Sequence, residues 1–321
     1  MAMAGIFTVC MKEISDHFGS KRYLILFAVI LLLSCVSAYQ GADYIRNNPQ
    51  AGFLAIFSGA RSGYSFVQLM VFFGPIVGLA LGADAINNER TSGTLSILLS
   101  QPIFRDAVIN GKFLAGATAL ATLTLGTIGI MCGVAIPLLG FGPTLEQALS
   151  IVFLSLLTVL YLAFWLSLGV LFSVLTKKVS TSTFASIATW LFFAIMIPII
   201  ASLIVNTIAP FPSGQRMSPE IRESPEFQAL MQDRFVIQNS ISKLSPTYLY
   251  SEVASQILGQ TQSRAAFGLS VGAPPPSFRS PTPTQSFAAS WPSVAAITVG
   301  LVACFAASYL FFMRSEIRPG G

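Results

Sequence analysis

Charge is what this sequence has least of. Asp, Glu, Lys and Arg make up 10% of its 321 residues, while 54% are hydrophobic; a typical soluble domain is about 25% charged. A water-soluble fold of this size could not cover so much apolar surface. The stretches 113–145, 179–215 and 280–313 hold no charged residue at all. Each exceeds the roughly 20 apolar residues that a helix needs to cross a bilayer.

Reactive groups are equally scarce. The chain has one histidine, His17, and neither an HExxH zinc motif nor a GxSxG nucleophile elbow. That argues against a histidine-based intramembrane hydrolase, and His17 reads as an interfacial residue on an amphipathic helix. No acid or base falls inside an apolar span, since Asp84 and Glu146 sit at span ends, so coupling to an ion gradient lacks its usual relay. There is no phosphate-binding GxxxxGK[ST] loop: the one Gly-Lys pair, Gly111-Lys112, is followed by Phe113. Any ATP hydrolysis therefore belongs to a separate polypeptide, and the chain itself is expected to be no enzyme.

The four cysteines, Cys10, Cys35, Cys132 and Cys304, have no metal-like spacing and read as small hydrophobes. No metal or cofactor is expected. Met131-Cys132, a soft pair with no second cluster, reads as packing. The formal charge of +5 is spread over the ends of apolar segments, which fits the orientation rule of membrane proteins and gives no nucleic-acid surface.

What is present is an all-α membrane protein with six transmembrane helices. Residues 5–18 place Ile6, Cys10, Met11, Ile14 and Phe18 on one helical face, predicting an N-terminal amphipathic helix lying on the bilayer. Spans are predicted at about 23–39, 64–83, 113–139, 149–175, 180–208 and 291–313. Val36-Ser37-Ala38 has the small residues of a cleavage site, but the long acidic-containing stretch before it argues against removal. Pro75, Pro137 and Pro198 lie in or near spans, where neighbouring helices can satisfy the carbonyls that proline frees.

With the N-terminus inside, Lys12, Lys21, Arg22, Arg90, Arg105, Lys112, Lys177, Lys178, Arg314 and Arg318 fall on the cytoplasmic side. Only Arg46 and Arg61 fall in short outer loops. Both termini are thus expected in the cytoplasm of a multi-pass plasma-membrane protein. The division is residues 1–208 for the interfacial helix and five spans, 209–289 for a helical extracytoplasmic insertion, and 290–321 for the sixth span and tail. Within the insertion, Ser224-Pro225-Glu226 starts one helix and Ser245-Pro246 a second, ending near Gly259. The Pro-rich run 273–284 reads as an extended linker.

The informative stretch joins spans two and three, residues 84–115. A helix start at Thr91 or Ser92, a face of Leu95, Leu98 and Leu99, and a Ser-Gln-Pro stop at 100–102 predict a short helix across the cytoplasmic ends of two spans. Such a helix either transmits a push from a soluble partner or is an interfacial turn with none. Glu89, Gly93-Thr94-Leu95, Leu98-Leu99-Ser100, Pro102, Arg105 and Gly111-Lys112 together resemble the signature of ABC-2 type permeases. The pattern looks most like the branch of multicopper-enzyme maturation permeases, which includes the membrane subunit of the nitrous-oxide-reductase maturation transporter.

The resemblance implies an exporter-like homodimer of permease chains, or a paired permease, with each copy docked to a separate ABC ATPase subunit. It assigns that docking to a cytoplasmic coupling helix carrying Glu89, Thr91, Gly93, Thr94, Leu95, Leu98, Leu99, Pro102 and Arg105. Read as bare charges, Glu89 favours a helix N-terminus, and Arg105 and Lys112 contact lipid phosphates. The competing reading is a membrane anchor or force-transmitting subunit that moves no solute. Lipid and an extracytoplasmic protein complete the set of expected partners.

Overall fold

A computed structural model describes residues 2–48, 51–58, 65–93, 104–210, 224–259 and 283–314. These residues are helical, with short 3-10 and π turns and no strand among them. Six helices are long and apolar enough to cross a membrane: Lys21–Asn47, Phe66–Thr91, Arg105–Leu139, Leu145–Leu175, Val179–Ile208 and Ser290–Arg314. They are the six segments expected from the sequence, with several extended at their ends by a turn or more. Regular hydrogen bonding continues there into polar residues that a hydropathy reading cuts off.

The chain divides into two compact units, residues 1–189 with 295–321, and residues 190–294. In the first, α1 (Ala2–Gly19) runs against the start of α5 (Arg105–Leu139), and α2 (Lys21–Asn47) packs on the same helix. The Tyr23 hydroxyl donates to the Ala119 carbonyl at 2.9 Å, fixing α2 to α5. The most extensive pairing is that of α3 (Phe66–Ala83) with α6 (Leu145–Leu175), and its cause is legible in the residues. Gly74, Gly78 and Gly82 stand four apart and so form one edge of α3. A Cβ on Gly78 would lie 2.9 Å from the Leu162 carbonyl oxygen, and one on Gly82 2.5 Å from that of Leu166. Only hydrogen fits, so the two backbones touch, the close approach by which helices associate where lipid is as apolar as leucine.

Pro75 lies inside α3, and its missing N–H leaves the Val71 carbonyl without a helical donor. The Tyr161 hydroxyl of α6 donates to that carbonyl at 3.4 Å. This is the rescue by a neighbouring helix that the proline implied.

In the second unit a π turn, Phe192–Met196, precedes α8 (Ile197–Ile208), with Pro198 at its start. The turn diverts the Ile197 N–H to Phe192, and Ser245 donates to the freed Phe193 carbonyl at 2.8 Å. The helix α9 (Pro225–Ser242) is capped by Ser224, whose side chain accepts from the Phe227 N–H. A second helix, α10 (Pro246–Ile257), is followed by Gly259 at a φ of 67°. Both helices start where the Ser-Pro pairs predicted, because proline's fixed φ suits a first helical turn. Arg234 ties α9 to the end of α8, donating to Asn206 Oδ1 at 2.7 Å and to the Ala209 carbonyl. The remaining helices are α4 (Asn87–Thr91), α7 (Val179–Leu191) and α11 (Pro283–Arg314). Of the Pro-rich run 273–284 expected as an extended linker, residues 273–282 fall outside the described residues, and Pro283 and Thr284 already belong to α11.

Candidate functional site

The segment that the sequence singled out leaves span two through α4 and re-enters through α5. Its first half is clamped. The N–H groups of Ile86 and Asn87 open a new helix, and Ser173 of α6 accepts from both at 3.0 and 3.1 Å, supplying partners that a helix start otherwise lacks. The Asn87 side chain donates to Thr176 Oγ1 at 2.8 Å, and Arg90 donates to the Thr176 carbonyl at 3.0 Å. Span four therefore holds the entry to the segment at two residues.

Thr91 is exposed and donates to the Asn87 carbonyl at 2.9 Å. Gly93 has a φ of 73°, a left-handed value natural to glycine just past a helix end. Thr94, Leu95, Leu98, Leu99 and Pro102 lie outside the described residues. The return begins at half-buried Arg105, the first residue of α5. Asp106 accepts from the Ala107 N–H at 2.9 Å, and its charge suits the positive end of the helix.

Glu89 faces inward. Its side chain is 11% exposed, and Oε1 lies 2.8 Å from Lys112 Nζ, which is 4% exposed and sits equally close, 2.8 Å, to Glu13 Oε1. Lys12 approaches the two carboxylates from the water side, at 3.3 Å from Glu13 and 3.8 Å from Glu89. Two buried carboxylates would repel each other; the lysine between them makes both ionised forms tolerable. The arrangement joins three elements: α1 through Glu13, α4 through Glu89 and α5 through Lys112.

The titration of the groups outside the spans follows from this geometry. Burial alone would raise the Glu13 carboxyl, but the attraction and hydrogen bonds of Lys112, then of Lys12, outweigh it and hold the carboxyl below its ordinary value. Burial likewise pulls Lys12 down, and Glu13, Glu89 and Asp16 together leave it raised. His17 is lowered, first by burial and further by Lys112, against the opposing pull of Glu13 and Asp16.

Sequence periodicity placed Glu13 off the apolar face of α1 and put Met11 on it. In the structure Val9 and Glu13 form the buried stripe, and Met11 is 52% exposed. The reason is Gly111: a Cβ there would stand 2.8 Å from Val9 Cβ, so this glycine admits the Val9 edge of α1 and the next turn carries Glu13 onto Lys112. Ser173, Thr176 and Asn87 were not foreseen, because a lone hydroxyl inside an apolar span, and a hydroxyl and an amide in polar connections, carry no periodic signal. Gly111-Lys112, part of the motif, was the available clue: a glycine for close approach followed by a cation at a span end.

A model of the ABC-2 family transporter protein matches residues 7–317 of the chain. Two curated relatives, each described as a probable ABC transporter permease protein NosY, are similar to it. The protein from Pseudomonas aeruginosa is 31% identical over 147 residues, covering 46% of this chain and 50% of its own. That from Stutzerimonas stutzeri is 31% identical over 130 residues, or 40% and 44% of the two chains. The chain spans about half the length of the curated relatives it matches.

Proposed function

The chain belongs to the ABC-2 family of transporter proteins, and from that premise we propose that it is a permease subunit driven by ATP hydrolysed on a separate ABC ATPase, two permease copies forming the transport path. In this reading the connection between spans two and three is the part that couples to the ATPase, and Leu95, Leu98 and Leu99 of the short helix expected there enter a groove on that subunit.

The observation that carries this reading is the 2.8 Å contact of Glu89 with Lys112. A displacement of the coupling segment begins four residues from Gly93 at a side chain already bonded to span three and, through Glu13, to α1. The Asn87 and Arg90 bonds to Thr176 deliver the same displacement to span four. Because packed elements shift between discrete arrangements and do not deform smoothly, a push at one point moves all of them together. A bare interfacial turn has no use for so stiff an attachment.

The test is co-purification of the cognate ATPase with the chain after co-expression. Leu98→Glu should lose the ATPase, since a charge entering an apolar groove must be desolvated without a partner; Ser96→Glu should retain it. Glu89→Gln should retain the ATPase but lower the turnover of the assembled complex by ~10-fold or more, an effect of about 1.4 kcal/mol on the rate-limiting barrier. Equal retention by both position-96 and position-98 variants at normal membrane levels would remove the coupling assignment. Normal turnover in Glu89→Gln would remove its link to Lys112. Full ATP turnover with no solute movement in reconstituted vesicles would favour a force-transmitting subunit.

A further inference from the structure

A cavity of about 360 Å³ opens beside the buried ion cluster, within the first unit, between α1, α2, α3, α4 and α5. That volume suits a small-molecule site. Its walls differ from one another. The inner wall is the cluster already described, in which Lys112 is matched by Glu13 and Glu89. The mouth carries Arg22, 85% exposed, and Asp84, 32% exposed, whose closest charged atoms are 3.6 Å apart. That separation exceeds the 2.7–2.9 Å of a charge-assisted hydrogen bond. The third wall is apolar, formed by Tyr23, Leu26, Val77 and Leu81 of spans one and two.

We propose that this cavity binds the headgroup of an aminophospholipid, with the phosphate on Arg22 and the primary ammonium on Asp84. A guanidinium presents a planar fork that matches phosphate oxygens, and a carboxylate accepts from a primary ammonium. Three bases and four acids line the space, apart from His17, so a net anionic headgroup is disfavoured while a zwitterion is accommodated. A quaternary ammonium is held by the faces of Trp, Tyr or Phe, and Tyr23 is the one such residue in the described lining; ethanolamine therefore fits better than choline. Among the described residues no three His, Cys, Asp or Glu side chains converge as metal ligands.

The source is lipid and not a soluble phosphoethanolamine, because the charged mouth continues into an apolar wall. Ile25, three residues on from Arg22 and so its neighbour on the surface of α2, is 62% exposed, surface that an acyl chain covers. The inference rests on the spanning fold and holds whether or not the chain drives transport.

The experiment is native mass spectrometry of the full chain, purified in detergent and titrated with phosphatidylethanolamine, phosphatidylcholine and phosphatidylglycerol. The wild-type chain should retain phosphatidylethanolamine ~10-fold better than the other two, one decade of affinity. Asp84→Asn should erase the preference over phosphatidylcholine. Arg22→Ala should weaken both zwitterionic lipids, with melting temperature and elution volume reporting that each variant is folded. Equal retention of all three lipids by the wild-type chain would overturn the proposal without reference to any variant, as would a preference surviving both substitutions. Competition by soluble phosphoethanolamine at the lipid's own concentration would overturn the lipid assignment.

Discussion

Each of the two compact units buries a glutamate beside a lysine, and the two pairs are built on opposite plans. In the first unit Lys112 is itself buried, 4% exposed, between Glu13 and Glu89. In the second, Glu252 of α10 meets Lys243 at 3.2 Å, but that lysine is 45% exposed, and Ser293 completes the carboxylate by donating at 3.1 Å. The neighbouring Tyr248 phenol is pushed up by burial and by the Glu252 charge. Glu13 and Glu89 depend on a cation that is itself buried; Glu252 is solvated in part through its partner. A sealed pair is costly to break, whereas an open one is screened by salt.

Removing the sealed cation breaks the comparison hardest. Lys112→Met leaves Glu13 and Glu89 buried side by side and should cost about 3–5 kcal/mol, read as a large drop in the melting temperature of the purified chain. Adding Glu13→Gln and Glu89→Gln to it should recover most of that loss, because neutral amides can hydrogen-bond each other. A single variant as stable as the wild-type chain would mean that Lys112 escapes to water and the cluster is not sealed.

Acid should have the next largest effect. Glu13 titrates below its ordinary value of 4.5, so its contribution is present above that pH and is lost as pH falls through the lower, folded value. His17 titrates below 6.5 and by the same sign loses its contribution on acidification. Lys12 is raised above 10.5; its contribution is full below that pH and disappears only as pH rises through the folded value. Melting temperature against pH should therefore fall on the acid side, and the Glu13→Gln chain should show a smaller acid loss.

The smallest effect belongs to the open pair. Lys243→Ala should cost less than about 1 kcal/mol, and the difference from the wild-type chain should shrink at high salt. A salt-independent loss of the size expected for Lys112→Met would erase the contrast between the two plans.

How much of this was legible in the sequence follows from what kind of signal each feature leaves. The spans were visible because an uncharged run leaves a helix in lipid no alternative. The two helices of residues 224–259 were visible because Ser-Pro pairs act locally. The ion cluster was not, since its members come from three distant elements and each charge alone reads as solvated. Glu13 in particular sat among Lys12, Ser15 and Asp16, and nothing local set it apart from them. Only Gly111, by bringing α1 onto α5, turns it inward.

The glycine edge of α3 bears on how the chain is made. Val71 and Tyr161, which meet across that pairing, are 90 residues apart, so span two emerges some ~5–18 s before span four at about 5–20 residues per second. During that interval three glycines and the carbonyl freed by Pro75 have no partner helix. The mean hydropathy of 2.0 over its most apolar stretch lets it wait in the bilayer regardless, and 72% of that stretch ends up buried in the finished protein. Its apolar residues thus serve two environments in succession, lipid first and α6 afterwards, and a nascent chain halted before residue 161 exposes to the membrane the backbone that the finished protein hides.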